Sequence, residues 1–222
     1  MNKKRRRLLI FSAVSLVVLG GTCISVHPSS QGTVVRPDGK PVSGAFVLYW
    51  YRGVRFNPVC SSSYSRPGSL VHTETDGSFT IPGAVHFHLP YPLQGWTRLE
   101  AMVYSVETHS GTRLADAGGL DRVTLEDHGL KGIDPAKWHD AANEALIAAH
   151  AIASSAEADS PKHDVPAGSQ REFRRALRRE WILFREKFGS RPYRPGDPRR
   201  WSSFADDALR ALDALEAKAG EE

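Results

Sequence analysis

Two hydrophobic rhythms divide this chain. Between residues 30 and 126 apolar residues come in short runs, several of them alternating, and from residue 134 onward they recur every three or four positions. The first rhythm suits strands, whose side chains point alternately to opposite faces, and the second suits helices with a single apolar stripe. Thr33 to Val35, Ala45 to Tyr51, Leu70 to Thr75, Ser78 to Ile81, Leu99 to Val106 and Asp121 to Leu125 read as strands. Their β-branched and aromatic residues fit a pleated, half-buried surface. Arg36-Pro37-Asp38-Gly39-Lys40-Pro41 and Asp76-Gly77 carry reversal chemistry and predict a hairpin at each place. Within Ala45 to Tyr51 both alternating sets are apolar: Ala45, Val47, Tyr49 and Tyr51 on one face, Phe46, Leu48 and Trp50 on the other. Such a strand is covered on both sides, here by an opposing sheet and by the helices downstream. Gly53 to Ser69, rich in serine and proline, reads as a long loop. Six or seven short strands suit an antiparallel β-sandwich of about 100 residues.

The helical half has three stripes. Trp138, Ala142, Ala145, Ala149 and Ile152 form the first, after the helix-start signal Asp134-Pro135. Phe173, Leu177, Trp181, Phe184 and Phe188 form the second, closed by Gly189 and Pro192; Trp201, Phe204, Ala208, Leu212 and Leu215 form the third, opened by Asp197-Pro198. The expected fold class is α+β, with a sandwich of about seven strands over residues 30–126 and a three-helix region over 134–220.

Before both lies Met1-Asn-Lys-Lys-Arg-Arg-Arg7 and then an uncharged stretch from Leu8 to Val26. Positive residues followed by an apolar run are the order of a secretory signal or signal anchor, which assigns residues 1–26 to export and the rest of the chain to the far side of the membrane. Leu8 to Leu19 spans about 18 Å as a helix, short of a hydrocarbon core of about 30 Å; continuing to Val26 brings it to about 28 Å. Length alone leaves cleaved signal and retained anchor both open. Gly20-Gly21-Thr22-Cys23 resembles a bacterial lipobox, although it lacks the upstream leucine and has Thr where Gly or Ala is usual, and it adds lipidation of Cys23 as a third option. Cys60 is the other cysteine: it is left without a thiol partner if Cys23 is acylated or removed, and can bridge to Cys23 otherwise.

Gly32-x-Val34, Gly39-Lys40-Pro41-Val42, Gly44-Ala45-x-Val47 and Thr75-Asp76-Gly77-Ser78-Phe79 together resemble the carboxypeptidase regulatory-like domain, one of the transthyretin-like or prealbumin-like β-sandwiches. The resemblance covers about fifty residues, fades toward residue 126 and implies a scaffold, not a peptidase. The His-x-x-Glu zinc motif of the peptidases that carry such domains does not occur here. Gly-x-Ser-x-Gly, the phosphate-binding and dinucleotide-binding glycine motifs and Cys-x-x-Cys are also absent from the sequence. No catalytic residue and no cofactor are assigned.

One constellation keeps a chemical alternative open. His86 and His88 alternate so as to share a face, as two ligands of a transition metal would, with His72, His109 or Asp76 as the third if the strands align. Ser61 to Ser65 has no base beside it in the sequence and reads as loop. The net charge of +4 is unevenly placed: Arg171, Arg174, Arg175, Arg178, Arg179, Arg185 and Lys187 crowd the helix over 170–188, and Arg191, Arg194, Arg199 and Arg200 follow it. Export argues against nucleic acid and favours anionic lipid or an acidic partner, and the plain alternative is a solvated face partly neutralised by Glu172, Glu180 and Glu186. The sequence is thus read as a non-enzymatic cell-envelope protein, a periplasmic lipoprotein, signal-anchored or secreted. It binds or scaffolds a protein or carbohydrate partner through the Gly53 to Ser69 loop and Tyr49, Tyr51 and Tyr64. The alternatives are a metal-binding protein or hydrolase at His86 and His88, and a membrane-surface or partner-docking module on the basic helix.

Overall fold

The strand with two apolar faces is the middle of the molecule. In the computed structural model, which describes residues 24–56, 61–87, 98–114, 119–126, 134–156, 167–194, 197 and 199–220, the fold is α+β. The described residues form nine strands in three sheets and three helices. The strands are β1 (Ile24–His27), β2 (Ser30–Val35), β3 (Phe46–Phe56), β4 (Ser61–His72), β5 (Ser78–Ile81), β6 (Ala84–Phe87), β7 (Arg98–Ser105), β8 (Ser110–Leu114) and β9 (Arg122–Thr124). The helices are α1 (Pro135–Ala156), α2 (Ala167–Phe188) and α3 (Trp201–Gly220). Cys23, Cys60, His88 and the apolar run from Leu8 lie outside the described residues.

A four-stranded sheet in the order β4-β3-β7-β8 separates two cores. Ala45, Val47, Tyr49 and Tyr51 pack with Leu99, Ala101 and Val103 against Val34, Phe79, Ile81 and Val123 of the three-stranded sheet β5-β2-β9. Phe46, Leu48 and Trp50 pack with Met102 and Tyr104 against Trp138, Phe173, Leu177, Trp181 and Phe184 of the helices. The alternation in β3 therefore sorts side chains between two interiors, as its sequence implied.

The predicted hairpins take a different form. The turn after β2 does close, through Gly39 N–H to Arg36 O (2.9 Å) and Arg36 N–H to Lys40 O (2.8 Å). The returning chain stays beside β2 only to Val42, whose N–H reaches Val34 O at 2.9 Å. At Gly44, with φ of 66°, it passes into the other sheet, so β2 and β3 are not partners. Asp76-Gly77 behaves alike, turning the chain from β4 in one sheet to β5 in the other. Gly77, at φ of 78°, lies so close to β2 that a Cβ there would stand 2.5 Å from Val34 O. Only glycine fits both conditions. Pairing is antiparallel except between β2 and β9, which run parallel.

Outside residues 57–60, which are not described, strand replaces the loop expected over Gly53 to Ser69: β3 continues to Phe56 and β4 begins at Ser61, paired from Arg66 to Ser61 with Tyr51 to Phe56 after a register shift at Tyr49/Tyr51. Ladder bonds are made by backbone, so serines serve as well as valines where packing does not decide. β1 is a second departure, since it starts at Ile24, inside the stretch given to the signal. β1 pairs with β6, and β8, which the sequence did not announce, pairs with β7.

The helices follow their stripes. Asp134 Oδ1 accepts from Ala136 N–H at 2.9 Å, capping α1. Gly189 ends α2 where a Cβ would lie 2.3 Å from Arg185 O. α3 begins at Trp201, later than the Asp197-Pro198 signal; Asp197 Oδ1 instead accepts from Arg199 N–H at 2.9 Å within the turn.

Candidate functional site

Two buried carboxylates organise the face where helices meet the central sheet. Glu180 falls on the apolar stripe of α2, three residues after Leu177 and four before Phe184, and is only 2% exposed. Its Oε2 accepts hydrogen bonds from Tyr104 OH of β7 (3.1 Å) and Trp138 Nε1 of α1 (3.1 Å), and lies 2.9 Å from His109 Nδ1 in the β7–β8 turn. One oxygen thus ties three elements to α2. The expectation that Glu180 neutralises an exposed basic face is corrected: its charge is turned inward. Burial, then the neighbouring Glu180 charge, pushes the Tyr104 phenol well above its ordinary value. His109 has φ of 52°, an uncommon conformation for a residue with a Cβ. Its bond to Glu180 and its ring contact with Trp138, 4.7 Å between centroids, hold it there.

The second carboxylate, Glu100 of β7, is 4% exposed. Trp50 Nε1 donates to its Oε2 at 3.1 Å, Arg113 donates to the same oxygen at 2.9 Å and Arg52 to Oε1 at 3.3 Å. Burial raises the acid's pKa, but the two guanidiniums outweigh burial and hold it below the ordinary carboxylate range. Arg113 also stacks over the Trp50 ring at 5.4 Å and reaches Glu144 of α1 at 3.4 Å. Its bonds to Glu100 raise its own pKa.

Arg113 leads to a groove of about 460 Å³ between the β7–β8 pair, the end of β9 and the flank of α1. Ser110, Thr112 and Arg113 line one wall, Thr124 and Glu126 the end, and Lys137, Asp140 and Glu144 the helix side, with Met102 and Leu125 as apolar floor. Lys137 Nζ meets Glu126 at 3.2 Å. In the strand orders β8 and β9 are each the outermost member of their sheet, so the groove runs where both sheets end. Charges of both signs, hydroxyls and a small apolar floor equip it to hold a polar ligand.

The residues singled out from sequence do not converge here. His72 ends β4 with its ring 4.8 Å from Phe46, Asp76 accepts from Ser78 N–H in its turn, and His109 is held by Glu180. His86 pairs with Ser25 along the β1–β6 ladder; its side chain and His88 are outside what is described. Among the described residues no three His, Cys, Asp or Glu side chains form a set able to hold a metal. Tyr49 and Tyr51, expected to face a partner, are buried between the two sheets. Burial raises the pKa of both, that of Tyr51 to about 12.

On α2 the basic residues divide into two groups. Arg174 donates to Leu215 O at 2.9 Å, Arg178 pairs with Asp213 and Glu216, and Arg185 with Asp206, all on α3. Arg171, Arg175 and Arg179 are exposed. Part of the basic crowding therefore fastens two helices together. Among the described residues no helix is long and apolar enough to cross a membrane.

Comparison with known proteins gives no family model that matches this chain and no curated protein or solved structure that resembles it.

Proposed function

We propose that this protein is a non-enzymatic component of the cell envelope: a carboxypeptidase-regulatory-like β-sandwich with a helical cover, held at the membrane by its N-terminus, that binds or scaffolds a polar partner. The groove beside Arg113 carries the reading. It combines about 460 Å³ of space with one arginine positioned by buried supports, since Glu100 and Trp50 fix the Arg113 guanidinium from behind. Such preorganisation favours recognition because little side-chain entropy is left to lose on binding. The basic N-terminal residues and the apolar run that follows supply the address.

The test is a photo-crosslinking residue at Thr112, in the groove, compared with one at Arg210, on the exposed side of α3. In intact cells the account expects a discrete crosslinked product from position 112 and none from position 210. Equal yields, or none from 112, contradict it. The rival metal-centred reading predicts stoichiometric zinc or copper in protein purified without chelator, lost in the His86→Ala/His88→Ala double variant.

A further inference from the structure

Val26 of β1 and Val85 of β6 face each other across the β1–β6 ladder and are 67% and 50% exposed. Directly paired residues share a face of the ribbon, so the two form one exposed apolar step. The ribbon continues the β2–β5 ladder, whose last pair is Ser30↔Ile81, past Pro28 and Pro82 to His27↔Ala84 and on to Ile24↔Phe87. Each proline removes a ladder donor where the pairing breaks. His27 closes on the Tyr51 ring of the central sheet at 4.6 Å, which fixes the ribbon to the body.

We infer that this ribbon is the foot of the protein on the membrane, with Val26 and Val85 set into the lipid headgroup layer. The inference rests on the reading of the N-terminus as a leader ending in an acylated Cys23 or as a retained anchor, whose apolar run then ends at Cys23 because β1 begins at Ile24. Under either form the distance is dictated by chain length. Three residues join Cys23 to Val26, at most about 10 Å when extended. A headgroup layer is about 5–7 Å deep on each side of the hydrocarbon. The strand begins at Ile24, so the folded body stands within a few ångströms of the headgroup layer. Val26, 67% exposed, is thereby held beside the lipid interface, and its cross-strand partner arrives with it. An apolar pair is the chemistry such a layer accepts. The occupant is a lipid surface, and its net charge is immaterial because the step bears none.

The full chain is inserted into net-neutral phosphatidylcholine vesicles, with and without lipid bearing a headgroup nitroxide. A genetically encoded, environment-sensitive fluorescent residue replaces Val85 in one sample and Arg210 in another. The expected result is that both proteins float with the vesicles, that nitroxide quenches position 85 by about twofold or more, and that position 210 is unaffected. If the protein floats and position 85 is quenched no more than position 210, the foot is wrong while the tether stands. If position 85 is blue-shifted but insensitive to nitroxide, a second copy of the chain covers the valines and the lipid assignment is overturned. If the protein does not float, the tether itself fails and the foot with it.

Discussion

Glu180 Oε2 and His109 Nδ1 meet at 2.9 Å between α2 and the β7–β8 turn, and Tyr104 OH and Trp138 Nε1 close on the same oxygen. Glu180→Ala leaves three buried polar groups without their shared partner and is expected to destabilise the fold by about 3 kcal/mol. Glu180→Gln keeps an acceptor oxygen and is expected to cost less. Urea unfolding of the two variants checks the order; equal and small losses would show that the cluster contributes little.

This contact also marks how far the sequence was legible. Glu180 was visible as an acid on an apolar stripe, between Leu177 and Phe184, but a single helix does not say what faces it. Its partners come from β7, the following turn and α1, brought together by sheet order. Turn residues likewise announced where the chain reverses and not which sheet it joins next, so β2 and β3 were expected as partners and fall on opposite sides of a core. Of β4, Leu70 to His72 was read as strand, and the serine-rich part before it was missed because it is held by backbone pairing with β3. Where side-chain pattern decides, as in β3 and along the three helical stripes, sequence and structure agree. The groove had no sequence signature, because Arg113, Glu126 and Glu144 are remote from one another along the chain.

Glu100 gives a pH dependence with a definite sign. Its folded pKa lies below the unfolded value, because Arg113 and Arg52 outweigh burial, so its contribution is present above the ordinary carboxylate range and lost as pH falls through the folded value. Glu100→Gln is therefore expected to cost about 2 kcal/mol at neutral pH and progressively less in acid. Urea midpoints of wild type and variant, measured from pH 7 downward, should converge; a constant gap would contradict the assignment.

At high pH the tyrosines take over. The folded pKa of Tyr51 is raised to about 12 and Tyr49 and Tyr104 are raised as well. The unfolded chain loses these protons first, so stability is intact below the ordinary phenol value and falls as pH rises through the folded one. The share of phenolate absorbance that these three of the six tyrosines contribute should appear in step with loss of far-ultraviolet circular dichroism. Full ionisation of all tyrosines in a still-folded chain would contradict the burial of these three.

Gly77 and Gly39 separate two effects. Both have positive φ, 78° and 83°, but a Cβ at Gly39 meets open space and one at Gly77 meets Val34 O. Gly39→Ala is expected to cost about 1 kcal/mol and Gly77→Ala about 3 kcal/mol or more. Thermal unfolding ranks them, and the reverse order would show that the turn after β4 is not held against β2.

The arginines of α2 should divide by role. Arg174→Gln removes a tie to Leu215 O and Arg178→Gln one to Asp213 and Glu216, each expected to cost about 1 kcal/mol, whereas Arg175→Gln and Arg179→Gln should stay within about 0.5 kcal/mol. If the basic helix has a membrane role, only the second pair should reduce binding to anionic vesicles while leaving unfolding unchanged.

The central proposal is that the folded body stands outside the cytoplasm, held at the membrane by its N-terminus. Protease added to intact spheroplasts, with α2 followed by antibody, measures this most directly. The account predicts that α2 is digested while a cytoplasmic marker survives and that the protein sediments with membranes beforehand. Protection of α2 until the cells are lysed would place the body inside and contradict it.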